Sequence, residues 1–143
     1  MADQVEITTT IRVTRNNEVF TFRRNKTISF AGGVEIKHYT LAADATQIVW
    51  DPTVESTEAA ADFDFLALIS DGVLDLEKTT NEGDANEVLQ TVRLTADLPY
   101  MLGADDSYYG ATGALGGTLN VIDKLRVDEP ASAARTLTVI IGT

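Results

Sequence analysis

A chain of 143 residues, 44% hydrophobic and 23% charged, has room for one domain with a real core, and its composition is globular rather than that of a disordered tail. Its net charge of −11 makes most of the surface repel polyanions, which excludes non-specific nucleic-acid binding, because that depends on Lys and Arg neutralising phosphates. No cysteine is present, so disulfides, thiol catalysis and Cys-ligated metals are excluded, and no apolar window of membrane length or secretory leader pattern appears, so no membrane partner is expected.

From Val5 to Thr14 the chain alternates, with Val5, Ile7, Ile11 and Val13 on one parity and threonines dominating the other, the pattern of a half-buried strand. "RNNE" supplies two asparagines suited to a hairpin turn, and "VFTFRR" resumes the alternation with Phe20 and Phe22 expected to face inward. "KTISFA" and "VEIKHYTLA" read as two further strands separated by Gly32-Gly33. "TQIVWD" is a short apolar burst closed by Pro52, which bars the chain from a sheet interior there. At most one short helix is expected, near residues 54–61, where alanines follow Ser56 and Thr57.

"FDFLALISDGVLDLEKTT" reads as a tight hairpin turning at Asp71-Gly72, since Asp and Gly accept the positive φ of a type I′ turn. "VLQTVRLTADL" gives another strand ending near Pro99. "TLNVIDKLRV" and "RTLTVIIG" are the last two, joined by the turn "DEPASAA". The fold class expected is all-β: a single β-sandwich domain over residues 1–143, with eight or nine short antiparallel strands and an extended N-terminal arm at 1–16.

Chemistry is poorly served. The single histidine, His38, lies mid-strand with no acid-base partner near it in sequence, and Ser29, Ser56, Ser70, Ser107 and Ser132 occur in no nucleophile elbow. The acidic loops "GADDSYYG" and "NEGDANE" offer oxygen ligands for calcium, but neither has the spacing of an EF-hand. "GATGALGG" lacks the lysine of a phosphate loop. The reading is a protein without enzymatic activity, cofactor or metal.

Surface character is more informative. Residues 1–40 hold six Lys/Arg against four acids, whereas residues 41–143 hold five against eighteen, or −13. The basic residues Arg12, Arg15, Arg23 and Arg24, with Lys26, are read either as protective charges on a strand edge or as a grip on acidic partners. The glycine-rich stretch 103–117 is flanked and filled by Tyr100, Met101, Tyr108 and Tyr109, residue types that suit a protein interface. These eight side chains are the candidate interaction site.

The stretches "DFDFLALISDGVLDLE", "QTVRLTADLPYMLGADDSYYG" and "NVIDKLRVDEPASAARTLTVIIGT" together resemble the small all-β virion proteins of tailed bacteriophages that decorate or cement capsids. The resemblance implies a jelly-roll-like sandwich and self-association, with a trimer favoured. It also implies binding to the major capsid protein or other virion subunits, in a virion assembled in the host cytoplasm. It supplies no motif from which a functional residue can be carried over. Two other classes fit the same pattern: a ligand- or receptor-binding sandwich, such as a carbohydrate-recognition module at a fibre tip, and a tail or neck component.

Overall fold

A computed structural model describes residues 2–51, 63, 65–80, 87–103, 108–109, 119–120, 122 and 124–143. The first two strands, β1 (Asp3–Arg15) and β2 (Glu18–Phe30), pair antiparallel over their whole length, from Asp3 opposite Phe30 to Arg15 opposite Glu18. The turn between them is Asn16-Asn17, with φ of 51° and 65°. Positive φ at both central positions is what a two-residue hairpin turn requires, and asparagine tolerates it better than other side chains with a Cβ. "VFTFRR" and "KTISF", expected as two strands, are one, because Asn25 and Lys26 stay in register opposite Thr8 and Ile7.

The body contains β3 (Val34–Leu41), β4 (Thr46–Trp50), β5 (Phe65–Ser70), β6 (Leu74–Thr80), β7 (Val88–Leu94), β8 (Tyr100–Gly103), β11 (Lys124–Asp128) and β12 (Arg135–Gly142). A two-stranded pair, β9 (Tyr108–Tyr109) and β10 (Leu119–Asn120), lies between β8 and β11 in sequence. The eight body strands form two antiparallel four-stranded sheets, ordered β3-β12-β5-β8 and β4-β11-β6-β7. Successive strands change sheet at almost every step, and this interleaved order is that of a jelly roll. The expected sandwich is the fold. The two ribbons, β1-β2 and β9-β10, are additions to its eight strands, and "TLNVIDKLRV" divides between β10 and β11. The short helix expected near residues 54–61 falls outside the described residues.

One face of each sheet builds the core, by alternation along the strands except in β4, where a register shift opposite Leu125 and Arg126 leaves both Val49 and Trp50 buried. From the first sheet come Leu41, Leu66, Leu68, Leu102, Leu137, Val139 and Ile141; from the second come Val49, Trp50, Leu74, Leu76, Leu94, Leu125 and Val127. Trp50 is fully buried and meets Phe63 edge-on, with ring centroids 5.1 Å apart at 87°, the T-shaped geometry that the aromatic quadrupole favours.

The Asp71-Gly72 expectation is corrected by the sheet order. β5 pairs with β12 and β8, while β6 pairs with β11 and β7, so the two residues carry the chain across the sandwich rather than around a hairpin. Neither has a positive φ. Asp71 instead accepts hydrogen bonds from Thr136 N at 2.9 Å and Thr136 Oγ1 at 2.8 Å. Gly72 makes room for the Arg135 side chain, which a Cβ at this position would strike. The Asp-Gly pair serves close packing, a use that propensity does not distinguish from a turn.

Candidate interaction surfaces

The β1-β2 ribbon is amphipathic across its whole length. Residues directly opposite in the ladder share a face, so Val5, Ile7, Ile11 and Val13 lie on the same face as Ile28, Phe22 and Phe20, with Phe30 at its foot. At the base this face is covered. Val5, Ile7 and Ile28 pack with Phe30, Phe65, Ala67, Val34 and Ile140, which lie on the outer side of the β3-β12-β5-β8 sheet. Phe30 is only 2% exposed and stacks obliquely on Phe65, with centroids 6.1 Å apart. Gly142 of β12 sits beneath it, and a Cβ there would come within 2.5 Å of the Phe30 ring. Close approach at this glycine is what lets the ring seat.

Beyond the base the cover ends. Ile11, Val13, Phe20 and Phe22 are 56%, 43%, 45% and 60% exposed. The expected inward orientation of Phe20 and Phe22 is thus corrected: their face is the apolar one, but the ribbon outruns the sheet against which it could pack. Thirteen paired residues span roughly 40 Å, and the packed cluster beneath the ribbon, among the described residues, takes in Val5, Ile7, Ile28 and Phe30 at its base.

The predicted cations occupy this same ribbon. Arg15 and Arg24 share the apolar face with Lys26, whereas Arg12 and Arg23 stand on the opposite one, beside threonines; all are exposed. Counting residues 8–26, five cations against one acid give +4, and the six cations and twenty-one acids of the remaining chain give −15.

A groove of about 420 Å³ runs alongside the base. One wall is the β1 edge at residues 5–10; the others are Phe65, Ala67 and Ile69 of β5, Ile140 of β12, and Leu98, Pro99 and Met101. Met101 lies opposite Ala67 and therefore on the outer face, where it is half-exposed, as is Leu98 to a greater degree. Tyr100, one residue earlier, points the other way, packs on the main core, and accepts a hydrogen bond from Lys78 Nζ at 3.4 Å. Of the predicted pair, then, Met101 belongs to the surface and Tyr100 to the interior. Tyr108 and Tyr109 are joined to a different element, opposite Asn120 and Leu119 in the β9-β10 pair.

Polar side chains with catalytic potential are engaged structurally. His38 Nδ1 lies 3.1 Å from Thr138 Oγ1 on the adjacent strand. Ser29 accepts from Gln4, Ser70 from Gly72 N, and Ser132 donates to Asp44; Ser56 and Ser107 lie outside the described residues. The Glu129 side chain is buried and accepts hydrogen bonds from the backbone N–H groups of Ala131, Asp44 and Ala133, at 2.9, 3.3 and 3.2 Å. Burial pushes its carboxyl up, but those three donors and the nearby Arg135 charge outweigh it and hold it below the ordinary range. Asp75 is held low by its paired hydrogen bonds from Arg93, at 2.8 and 3.0 Å. Among the described residues no three His, Asp or Glu side chains gather as metal ligands. The acidic stretches of the two candidate calcium loops, at 81–86 and 104–107, lie outside them.

The cations and Met101 singled out in the sequence lie on exposed surface, whereas the aromatic pair at the ribbon tip, Phe20 and Phe22, reads from the sequence as core. The groove is spread over β1, β5, β8 and β12, and no local pattern announces it.

No family model matches the chain, and no curated protein matches it. Among solved structures, the Yersinia pseudotuberculosis-derived mitogen is similar at 10% identity and a TM-score of 0.46, over 78% of this chain and 86% of that one. The Drosophila melanogaster CENP-C cupin domain is similar at 11% and 0.42, over 95% and 80%, and Drosophila melanogaster CENP-C bound to CAL1 at 11% and 0.42, over 95% and 85%. Likenesses this distant carry no argument about function, and the chain is described by its own architecture, a jelly roll bearing a cationic, apolar-faced ribbon.

Proposed function

We propose that this chain is a structural virion protein that decorates or stabilises a bacteriophage capsid through protein-protein contacts, without enzymatic activity. The observation that carries the reading is the ribbon: four large apolar side chains stand uncovered on one face of a cationic hairpin that projects from an acidic jelly roll. An isolated two-stranded ribbon is marginal in water, and an exposed apolar patch rimmed by charge is the mark of an interaction surface. Strong like charge on the body keeps free subunits apart and soluble before assembly. The resemblance of the central and C-terminal segments to capsid decoration proteins supplies the partner.

The test is sedimentation of the purified protein with empty capsids from its source. Saturable co-sedimentation at a stoichiometric ratio to coat subunits is expected. A protein that stays in the supernatant at every concentration overturns the capsid reading.

A further inference from the structure

Among the described residues, two exposed apolar surfaces lie along the ribbon: its outer half, formed by Ile11, Val13, Phe20 and Phe22, and the groove at its base, with Leu98 and Met101 on its rim. They cannot satisfy each other within one chain. The β1-β2 ladder runs without a register shift from end to end, and a continuous ladder lacks the bulge that would bend it back on itself. The groove lies along residues 5–10, and the uncovered face begins where those residues end.

We propose that the ribbon tip of one copy seats in the groove of a second copy of this chain. Charge selects this occupant. Two ribbons packed tip to tip would bring +4 against +4, whereas a ribbon seated in the groove meets walls without Lys or Arg and approaches a chain of net charge −11, so repulsion disfavours the first arrangement and attraction steers the second. Within the groove, Glu6 is an acid and no Lys or Arg lines the walls. Arg12 and Arg23, on the far face of the ribbon, keep their charges in water when the apolar face docks, and Arg15, Arg24 and Lys26, which share the apolar face, flank its exposed cluster along the ribbon, where long side chains carry their charged ends past an apolar contact. The β1 edge that forms one wall has no strand partner other than β2 among the described residues, and its free N–H and C=O groups give an incoming strand a ladder to join. The contact joins unlike patches, so it propagates from copy to copy until a ring closes or two copies exchange ribbons.

This inference deepens the assembly reading, resting on it only in taking the chain to assemble through protein-protein contacts: the ribbon tip joins copies to one another, and the joined copies rather than the free tip meet the capsid. The absence of native cysteine makes the test clean. Phe22→Cys and Met101→Cys proteins, one of them carrying a mass tag, are mixed in equal amounts and oxidised. Both positions are exposed, so neither change removes core packing. The mixed disulfide is expected to exceed either like-with-like disulfide by about tenfold, corresponding to a preference of about 1.4 kcal/mol, and adding Phe20→Asp to the Phe22→Cys protein is expected to abolish it. Predominance of the Phe22→Cys homodimer, or no mixed product above that of the Phe20→Asp control, overturns the proposal. A chain that forms the mixed disulfide but ignores capsids upholds this contact and overturns the capsid reading alone; capsid binding without the mixed disulfide does the reverse.

Discussion

Glu129 shows how this fold uses its acids. Its buried carboxylate ties the turn at 131–133 to the turn at Asp44 through three backbone donors, and Arg135 Nε stands 3.8 Å away. Asp71 does a similar task for Thr136, whose backbone and side-chain hydrogen bonds hold its carboxyl low. A carboxyl depressed in the folded state stabilises the fold above its unfolded value and loses that contribution as pH falls through the folded one. Thermal unfolding is therefore expected to be flat near neutrality and to fall steeply below about pH 4. Glu129→Gln should lower the midpoint at neutral pH and make the acid decline shallower, as scanning calorimetry across pH would read. A separate residue-scale expectation concerns Gly142. With a Cβ pressed against a ring that is itself buried, Gly142→Ala should cost about 1–3 kcal/mol in denaturant unfolding, the usual range for overpacking.

At the scale of elements the ribbon divides into an anchored half and a free half, and substitutions should divide likewise. Phe30→Ala removes the buried anchor and is expected to destabilise by about 3–5 kcal/mol, with amide exchange in β1 and β2 losing protection ahead of the body strands. Phe22→Ser touches no packed surface within the chain and should change monomer stability by less than about 0.5 kcal/mol while weakening association. Removing residues 11–14 together with 19–22 takes four residues from each strand, which preserves the facing of the side chains and the Asn16-Asn17 turn. That shortened protein should keep the body's unfolding midpoint and lose assembly.

Much of this element was legible. The asparagine pair marked the turn and the alternation of Val5, Ile7, Ile11 and Val13 marked the face, because both signals are local. What covers a face is not local: Phe20 and Phe22 have the same pattern as core residues, and only the length of the ribbon beyond the sheet leaves them in water. The Asp71-Gly72 pair failed for a related reason. Its residues satisfy a turn, but the strands on either side belong to different sheets, and partner choice is set by the whole sandwich.

For the whole molecule, the alternation and spacing of short strands were enough to indicate a sandwich, since two apolar sheet faces have few ways to bury each other. The jelly-roll order of the strands required the structure. Fold alone does not decide function; the proposed function rests on the surface, through the contrast between a +4 ribbon and a −15 remainder. Raised salt should slow association by screening that attraction, while the apolar contact preserves the final extent of assembly, a split that light scattering at several ionic strengths would resolve. The central claim is that the ribbon tip is an assembly surface, and sedimentation equilibrium of the intact chain beside the tip-shortened chain tests it most directly. A discrete oligomer for the intact chain and a monomer for the shortened one are predicted; the same mass for both would contradict the account.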